Sequence, residues 1–191
     1  MRSFSAVVEE TCALFSSVRI RYVIVGGVAS SALGRVRSTL DVDVIVDLPE
    51  ERIPDVVRAF TGRGFRISRE DIADALRERV HFSIIDTQSS FHLDCKGAYG
   101  EAERRSLEGR RRRRIGRRYG YLDAPETLIV MKLVFDSERD IADAEAVYVR
   151  QRRRLNLRRA SATAAAMGVR REWDALRARL DPILRREQRR K

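Results

Sequence analysis

Apolar and polar positions alternate with two distinct periods along this chain, and the change of period marks out most of its elements. Residues 4–18 place Phe4, Val7, Val8, Cys12 and Phe15 at helical spacing. YVIVGG (22–27) reads as a buried strand that ends in a glycine pair, and VASSAL (28–33) as a short helix or turn. DVDVIVD (41–47) alternates with the two-residue period of a strand. Residues 50–61 read as a helix with Pro54 in its first turn, 64–67 as a short strand and 70–79 as a helix. HFSIID (81–86) and FHLDC (91–95) flank a polar turn, the pattern of a hairpin.

Beyond residue 100 the character changes. Residues 104–118 form a basic stretch with no apolar alternation. YGYLDAP then predicts a short strand leading into a helix whose first position is Pro125. ETLIVMKLVF (126–135) is apolar nearly all round, as a buried helix is. Ser137 and Asp140 open the next helix at capping-box spacing, and Ile141, Ala144, Val147 and Tyr148 line one face of it. Helices are expected at 157–167 and 170–187. The sum is an α+β chain with α/β-like alternation: a mixed β-sheet flanked by helices, and a helical C-terminal part. The expected division is a core over 1–120 and a helical region over 121–191 packed on it.

Charge sharpens the contrast between the halves. The net charge is +11, yet residues 1–100 carry 13 Lys and Arg against 14 Asp and Glu, while 101–191 carry 26 against 14. A neutral body followed by a cationic half suits a polyanionic partner such as nucleic acid. Cys12 and Cys95 sit in apolar segments and imply no disulfide framework. With His81 and His92 they make no zinc spacing. Glu9 and Glu10 interrupt the first apolar stretch, which is therefore no signal peptide, and no run approaches the length of a membrane span. A soluble cytoplasmic protein is expected.

The chemistry concentrates in the two acidic strands. In 41–47, alternation sets Asp41, Asp43 and Ile45 on one face and three valines on the other. The Cα atoms of the two acids are then roughly 6.5–7 Å apart. Two carboxylates so close repel, and a divalent cation with a preference for hard oxygen ligands, Mg²⁺ or Mn²⁺, offsets that cost. Asp94 shares a face with His92 in 91–95, and it completes a three-carboxylate cluster if that strand neighbours 41–47. Such clusters serve in-line phosphoryl displacement. Gly26 and Gly27, at a strand end, leave room for a polyphosphate at a helix start. Ser30 or Ser31 could add a hydroxyl, and Arg35 and Arg37 lie between the glycines and the acids, where they could pair with phosphate. Lys132 stands out because the chain has 36 Arg and three Lys, one of them inside an apolar helix. Cys95 reads as core, and His92 as a structural partner on the Asp94 face.

A glycine pair, thirteen residues and then Asp41-x-Asp43 on a strand resembles the signature of nucleotidyltransferases of the DNA polymerase beta superfamily. GGVASSALGRVRSTLDVDVIVD, HFSIIDTQSSFHLDCKG and APETLIVMKLVFDSERDIADAEAVY are similar to stretches of the AbiEii/AbiGii-type toxin nucleotidyltransferases over about residues 20–150. That resemblance implies transfer of a nucleotidyl group from a nucleoside triphosphate to a hydroxyl, most attractively an RNA such as a tRNA 3′ end, in a toxin–antitoxin setting with a cognate antitoxin. It implies Asp41 and Asp43 as metal ligands and Asp94 as third ligand or base. It further implies Lys132 at the triphosphate or as a stabiliser of the site, and Asp143 orienting Lys132 or a substrate group. Gly27 stands where a Ser is usual. A protein hydroxyl or an aminoglycoside are further acceptors; a polycationic antibiotic fits a cationic half poorly and ranks last. The alternative is a non-catalytic nucleic-acid-binding or toxin–antitoxin partner protein on a degenerate core.

Overall fold

The computed structural model describes residues 1–188. In chain order the elements are α1 (Phe4–Ser17), β1 (Arg21–Ile24), α2 (Gly26–Leu33), β2 (Asp41–Asp47), a single 3₁₀ turn (Glu50–Arg52) and α3 (Ile53–Thr61). Then come β3 (Phe65–Arg66), α4 (Arg69–Glu78), β4 (Phe82–Asp86), β5 (His92–Gly97), α5 (Glu101–Gly109), β6 (Arg111–Ile115) and β7 (Arg118–Leu122). Four helices follow: α6 (Pro125–Phe135), α7 (Glu138–Gln151), α8 (Leu157–Ala166) and α9 (Arg170–Gln188). None of the described helices is long and apolar enough to cross a membrane.

The chain forms two compact units, Met1–Val28 with Ser38–Asp123, and Ala29–Arg37 with Ala124–Lys191. The first holds one mixed seven-stranded sheet in the order β3-β4-β5-β2-β1-β7-β6. β2 runs parallel to β5 and β1 to β7, and the remaining neighbours are antiparallel. Its larger core lies on the face that receives Val42, Val44 and Val46, where Phe15 of α1, Phe60 of α3 and Ile72 of α4 pack. On the other face Ile45 meets Val23 and Leu107 of α5. The alternation along β2 thus does two jobs: the valines are buried, while Asp41 and Asp43 stay half-buried on the side that Ile45 closes at its far end.

The basic stretch resolves into regular structure that the sequence pattern did not signal. Residues 101–109 are helical, and Arg111–Ile115 pair antiparallel with Arg118–Leu122 through a two-residue loop. Gly116 holds φ +56° at the first loop position, where a tight hairpin needs a positive φ. Four successive arginines offer no apolar alternation. What makes β6 a strand is its partner β7, whose Leu122 joins the main core.

The second unit has its own core, built from Leu128, Ile129 and Leu133 of α6, Val147 and Tyr148 of α7, Ala160 and Ala164 of α8, and Trp173 of α9. Trp173, the chain's single tryptophan, is fully buried there and donates its indole N–H to Ser161 Oγ at 2.9 Å. Its fluorescence therefore reports on this unit.

Candidate active site

Pairing of β2 with β5 decides whether the acids meet. The parallel register sets Asp43 directly beside Asp94 and Asp41 beside His92. One carboxylate oxygen from each of Asp41, Asp43 and Asp94 then lies within 4.8 Å of the other two, and all three residues are half-buried. Each acid is held by a neighbour. Thr39 Oγ1 donates to Asp41 Oδ1 at 2.6 Å. Ser83, opposite Asp94 on β4, donates to Asp94 Oδ1 at 3.2 Å. The Gly27 N–H points at Asp43 Oδ2 at 3.4 Å. His92 Nε2 lies 3.6 Å from Asp94 Oδ2. Thr39 and Ser83 were not singled out from the sequence; the one signal for them is position, two residues before Asp41 and across the hairpin from Asp94.

Gly26 adopts φ +55°, and a Cβ at this position would run into the Asp43 carboxylate. Glycine is therefore required twice over, for the backbone angle and for the close approach of an acid. Gly26→Ala should lower stability by about 1–2 kcal/mol from the left-handed conformation alone, with a further loss as Asp43 is pushed aside. A denaturant melt that matches wild type would contradict this reading of the turn.

The other expected site residues fall in the second unit. Lys132 is buried, and its Nζ lies 2.6 Å from Asp140 Oδ1 and 3.2 Å from Asp143 Oδ2. Asp143 also receives Arg37, whose Nε and Nη2 bond both carboxylate oxygens at 3.0–3.1 Å. Arg37 thus engages a carboxylate, where the sequence suggested phosphate. Ser31 Oγ donates to the Arg37 carbonyl at 3.2 Å. Ser30 is buried, and its Oγ has no partner among the described residues. Arg35 is exposed. Lys96 pairs with Glu103 at 2.6 Å, and the third lysine, Lys191, lies outside the described residues. Asp140, read from sequence chiefly as a helix-start charge, is the nearest partner of Lys132.

Burial works to raise the Asp143 carboxyl, but hydrogen bonds and charge from Arg37 and Lys132 outweigh it and hold the group below its ordinary value. At Asp140 burial is likewise outweighed, by Lys132 and Ser137. A carboxyl whose folded value is depressed binds protons more weakly folded than unfolded. Its stabilisation is complete above the unfolded value, about 3.9 for Asp, and is lost as pH falls through the folded one. Acid unfolding followed by Trp173 fluorescence is accordingly expected to set in below about pH 4, and the Asp143→Asn variant should show a shallower dependence there. Identical acid profiles for the two proteins would refute the linkage.

Cys95 is fully buried in the main core, and burial, with Asp94 and Asp43 adding to it, pushes its thiol well above the ordinary value. His81 is exposed on the loop before β4.

No protein-family model and no curated protein matches the sequence. Solved structures do share its fold. The solution structure of the antibiotic-resistance factor ANT(2″)-Ia is similar, with a TM-score of 0.58 at 19% identity over 93% of this chain and 96% of that one. A nucleotidyltransferase-like protein from Paracoccidioides brasiliensis matches at 0.55 and 15% identity over 90% of both chains. ANT(2″)-Ia in complex with adenylyl-2″-tobramycin gives 0.53 at 18% over 92% and 98%. The mixed sheet with its flanking helices is a nucleotidyltransferase fold.

Proposed function

We propose that the chain is a divalent-cation-dependent nucleotidyltransferase that moves a nucleotidyl group from a nucleoside triphosphate to a hydroxyl acceptor. The observation that carries this reading is the convergence of Asp41, Asp43 and Asp94 from two parallel strands, with the Gly26–Gly27 turn against Asp43. The donor set fits the cation: three half-exposed carboxylates within 4.8 Å make an all-oxygen, strongly anionic site of the kind Mg²⁺ or Mn²⁺ takes together with substrate phosphates. Magnesium, when bound there, offsets charge on the phosphoryl oxygens.

In the transfer, the acceptor hydroxyl oxygen forms a bond to the α-phosphorus. The bond from that phosphorus to the bridging oxygen breaks, and pyrophosphate leaves with the electron pair. Asp41 and Asp43 serve as ligands, aimed by Thr39 and by the Gly27 amide. Asp94, held by Ser83, is third ligand or acceptor of the hydroxyl proton. Gly26 and Gly27, whose turn abuts the Asp43 carboxylate, are assigned to the nucleotide together with Ser30, Ser31 and Arg35, which follow them in the chain. Lys132 and Asp143 are read as positioning residues, because each is committed to an opposite charge, and Arg37 belongs with them. The division into a core and a helical region, read from the sequence at 1–120 and 121–191, stays part of this reading, with residues 29–37 grouped with the helical region.

For the acceptor we favour RNA, with a tRNA 3′ end the leading form and a toxin's role, checked by an antitoxin in the cytoplasm, the leading setting. The charge of the second half supports it, as do the exposed Arg153, Arg154 and Arg158. An aminoglycoside is the second reading, favoured by the likeness to a protein captured with adenylyl-2″-tobramycin and disfavoured by a net charge of +11 facing a cationic substrate. Incubation with each α-labelled triphosphate, Mg²⁺ and either total RNA or tobramycin tests the choice. Label is expected in RNA. Label in tobramycin would install the second reading, and RNA retention without label in either acceptor would favour a non-catalytic binding protein.

A further inference from the structure

The β6–β7 hairpin is a run of charge that the fold leaves unneutralised. Arg111, Arg112, Arg113 and Arg114 occupy four successive exposed positions on the edge strand of the sheet, and Arg117 and Arg118 continue them across the turn. None of the six meets a carboxylate at ion-pair distance among the described residues, whereas Arg104 and Arg105 on the adjoining helix share Glu101, and Arg152 and Arg177 share Asp181. An arginine-rich composition alone accounts for many arginines; it does not account for a consecutive set on one strand without a carboxylate partner among the described residues, in which Arg114 Nε donates only to the Gly116 carbonyl at 3.1 Å.

The hairpin also carries aromatic rings. Register sets Arg112 opposite Tyr121 and Arg114 opposite Tyr119, so these four share a face. The Arg112 guanidinium lies 4.1 Å from the centre of the Tyr119 ring, and that tyrosine is 55% exposed. Arg110 lies 4.8 Å from the Tyr121 ring. Cations that track a phosphate chain, beside flat rings and guanidinium planes on which bases stack, are the two requirements of a single-stranded nucleic acid site. A duplex hides its base faces, and an acidic peptide has no stacking plane to offer.

We propose that the β6–β7 hairpin docks a single-stranded segment of RNA, with phosphates on Arg112 and Arg114 and a base stacked on the Tyr119–Arg112 pair. The choice of RNA rests on the acceptor reading above; the docking surface itself does not. β6 is three strand spacings, about 14 Å, from β2, so docking and transfer are separable.

Fluorescence anisotropy with a labelled single-stranded RNA dodecamer, its duplex and a polyglutamate of equal charge tests this on the full chain. R112A/R114A should bind the single strand about tenfold or more weakly and lower the slope of log affinity against log salt by roughly 1.4. Tyr119→Ala should cost about tenfold with little change in slope, and Tyr119→Phe should bind like wild type. All variants should melt like wild type, since the side chains are exposed, and Asp43→Asn should bind RNA normally. Unchanged affinity in R112A/R114A and Tyr119→Ala, or duplex or polyglutamate binding as tight as the single strand, would overturn the proposal. Loss of binding in the hairpin variants of a protein that transfers no label would sink the enzymatic reading alone. Normal transfer with normal binding in every hairpin variant would sink this one alone.

Discussion

Asp43→Asn is expected to cut nucleotidyl transfer by at least about a thousandfold, the equivalent of roughly 4 kcal/mol of transition-state stabilisation. Asp43 sits between the other two acids in the register, beside Asp94 and two residues from Asp41, and it is the acid that the glycine turn touches. Asparagine keeps the shape and can still accept from the Gly27 amide, so the turn persists, but one of three clustered charges is gone. Without added cation the variant should be as stable as wild type or slightly more so, because mutual repulsion within the cluster is relieved. With Mg²⁺ the order should reverse, since a cation that binds only the folded protein raises stability by mass action. Label transfer and circular-dichroism melts with and without Mg²⁺ check both halves. Transfer within tenfold of wild type, or a Mg²⁺-induced stabilisation that survives the substitution, would end the catalytic reading.

How much of this was open to inspection before the fold was known depends on the range of the interaction concerned. β2 could be read with its true bounds because Asp41–Val44 alternate, the apolar run that follows ends at Asp47, and the acids fall on the face that the valines leave. The β4–β5 hairpin followed from two short strands around a polar turn. The parallel pairing of β2 with β5 is different. It joins segments about fifty residues apart, and nothing local to either strand dictates it, so the sequence could state only what would follow if they were neighbours. The hairpin in the basic stretch was illegible for a third reason. Strand recognition relies on apolar alternation, and Arg111–Arg114 has none; the pairing information resides in Gly116 and in β7. Lys132 was conspicuous by composition, yet its partners lie eight and eleven residues on, across a helix–helix turn, and Arg37 arrives from a different part of the chain.

That cluster sets the second large expectation. Lys132→Met should destabilise the unit that contains it by about 3 kcal/mol, toward the lower end of the range for breaking a buried pair. The lysine side chain is 8% exposed and that of Asp143 6%, so removing the ammonium leaves two carboxylates facing one another with less solvent than they need. Two features limit the damage: Arg37 still holds Asp143, and Ser137 Oγ still bonds Asp140. Methionine fills most of the volume of the lysine stem, so little of the loss is a cavity. Arginine should not rescue, because its planar fork cannot occupy the space of a point charge set between two acids. Denaturant unfolding read by Trp173 fluorescence measures the change in the right unit. A cycle that pairs Lys132→Met with Asp140→Asn should return a coupling of about 1–3 kcal/mol. If Lys132→Met costs less than about 1 kcal/mol, a value typical of an exposed pair, the lysine is not holding these acids.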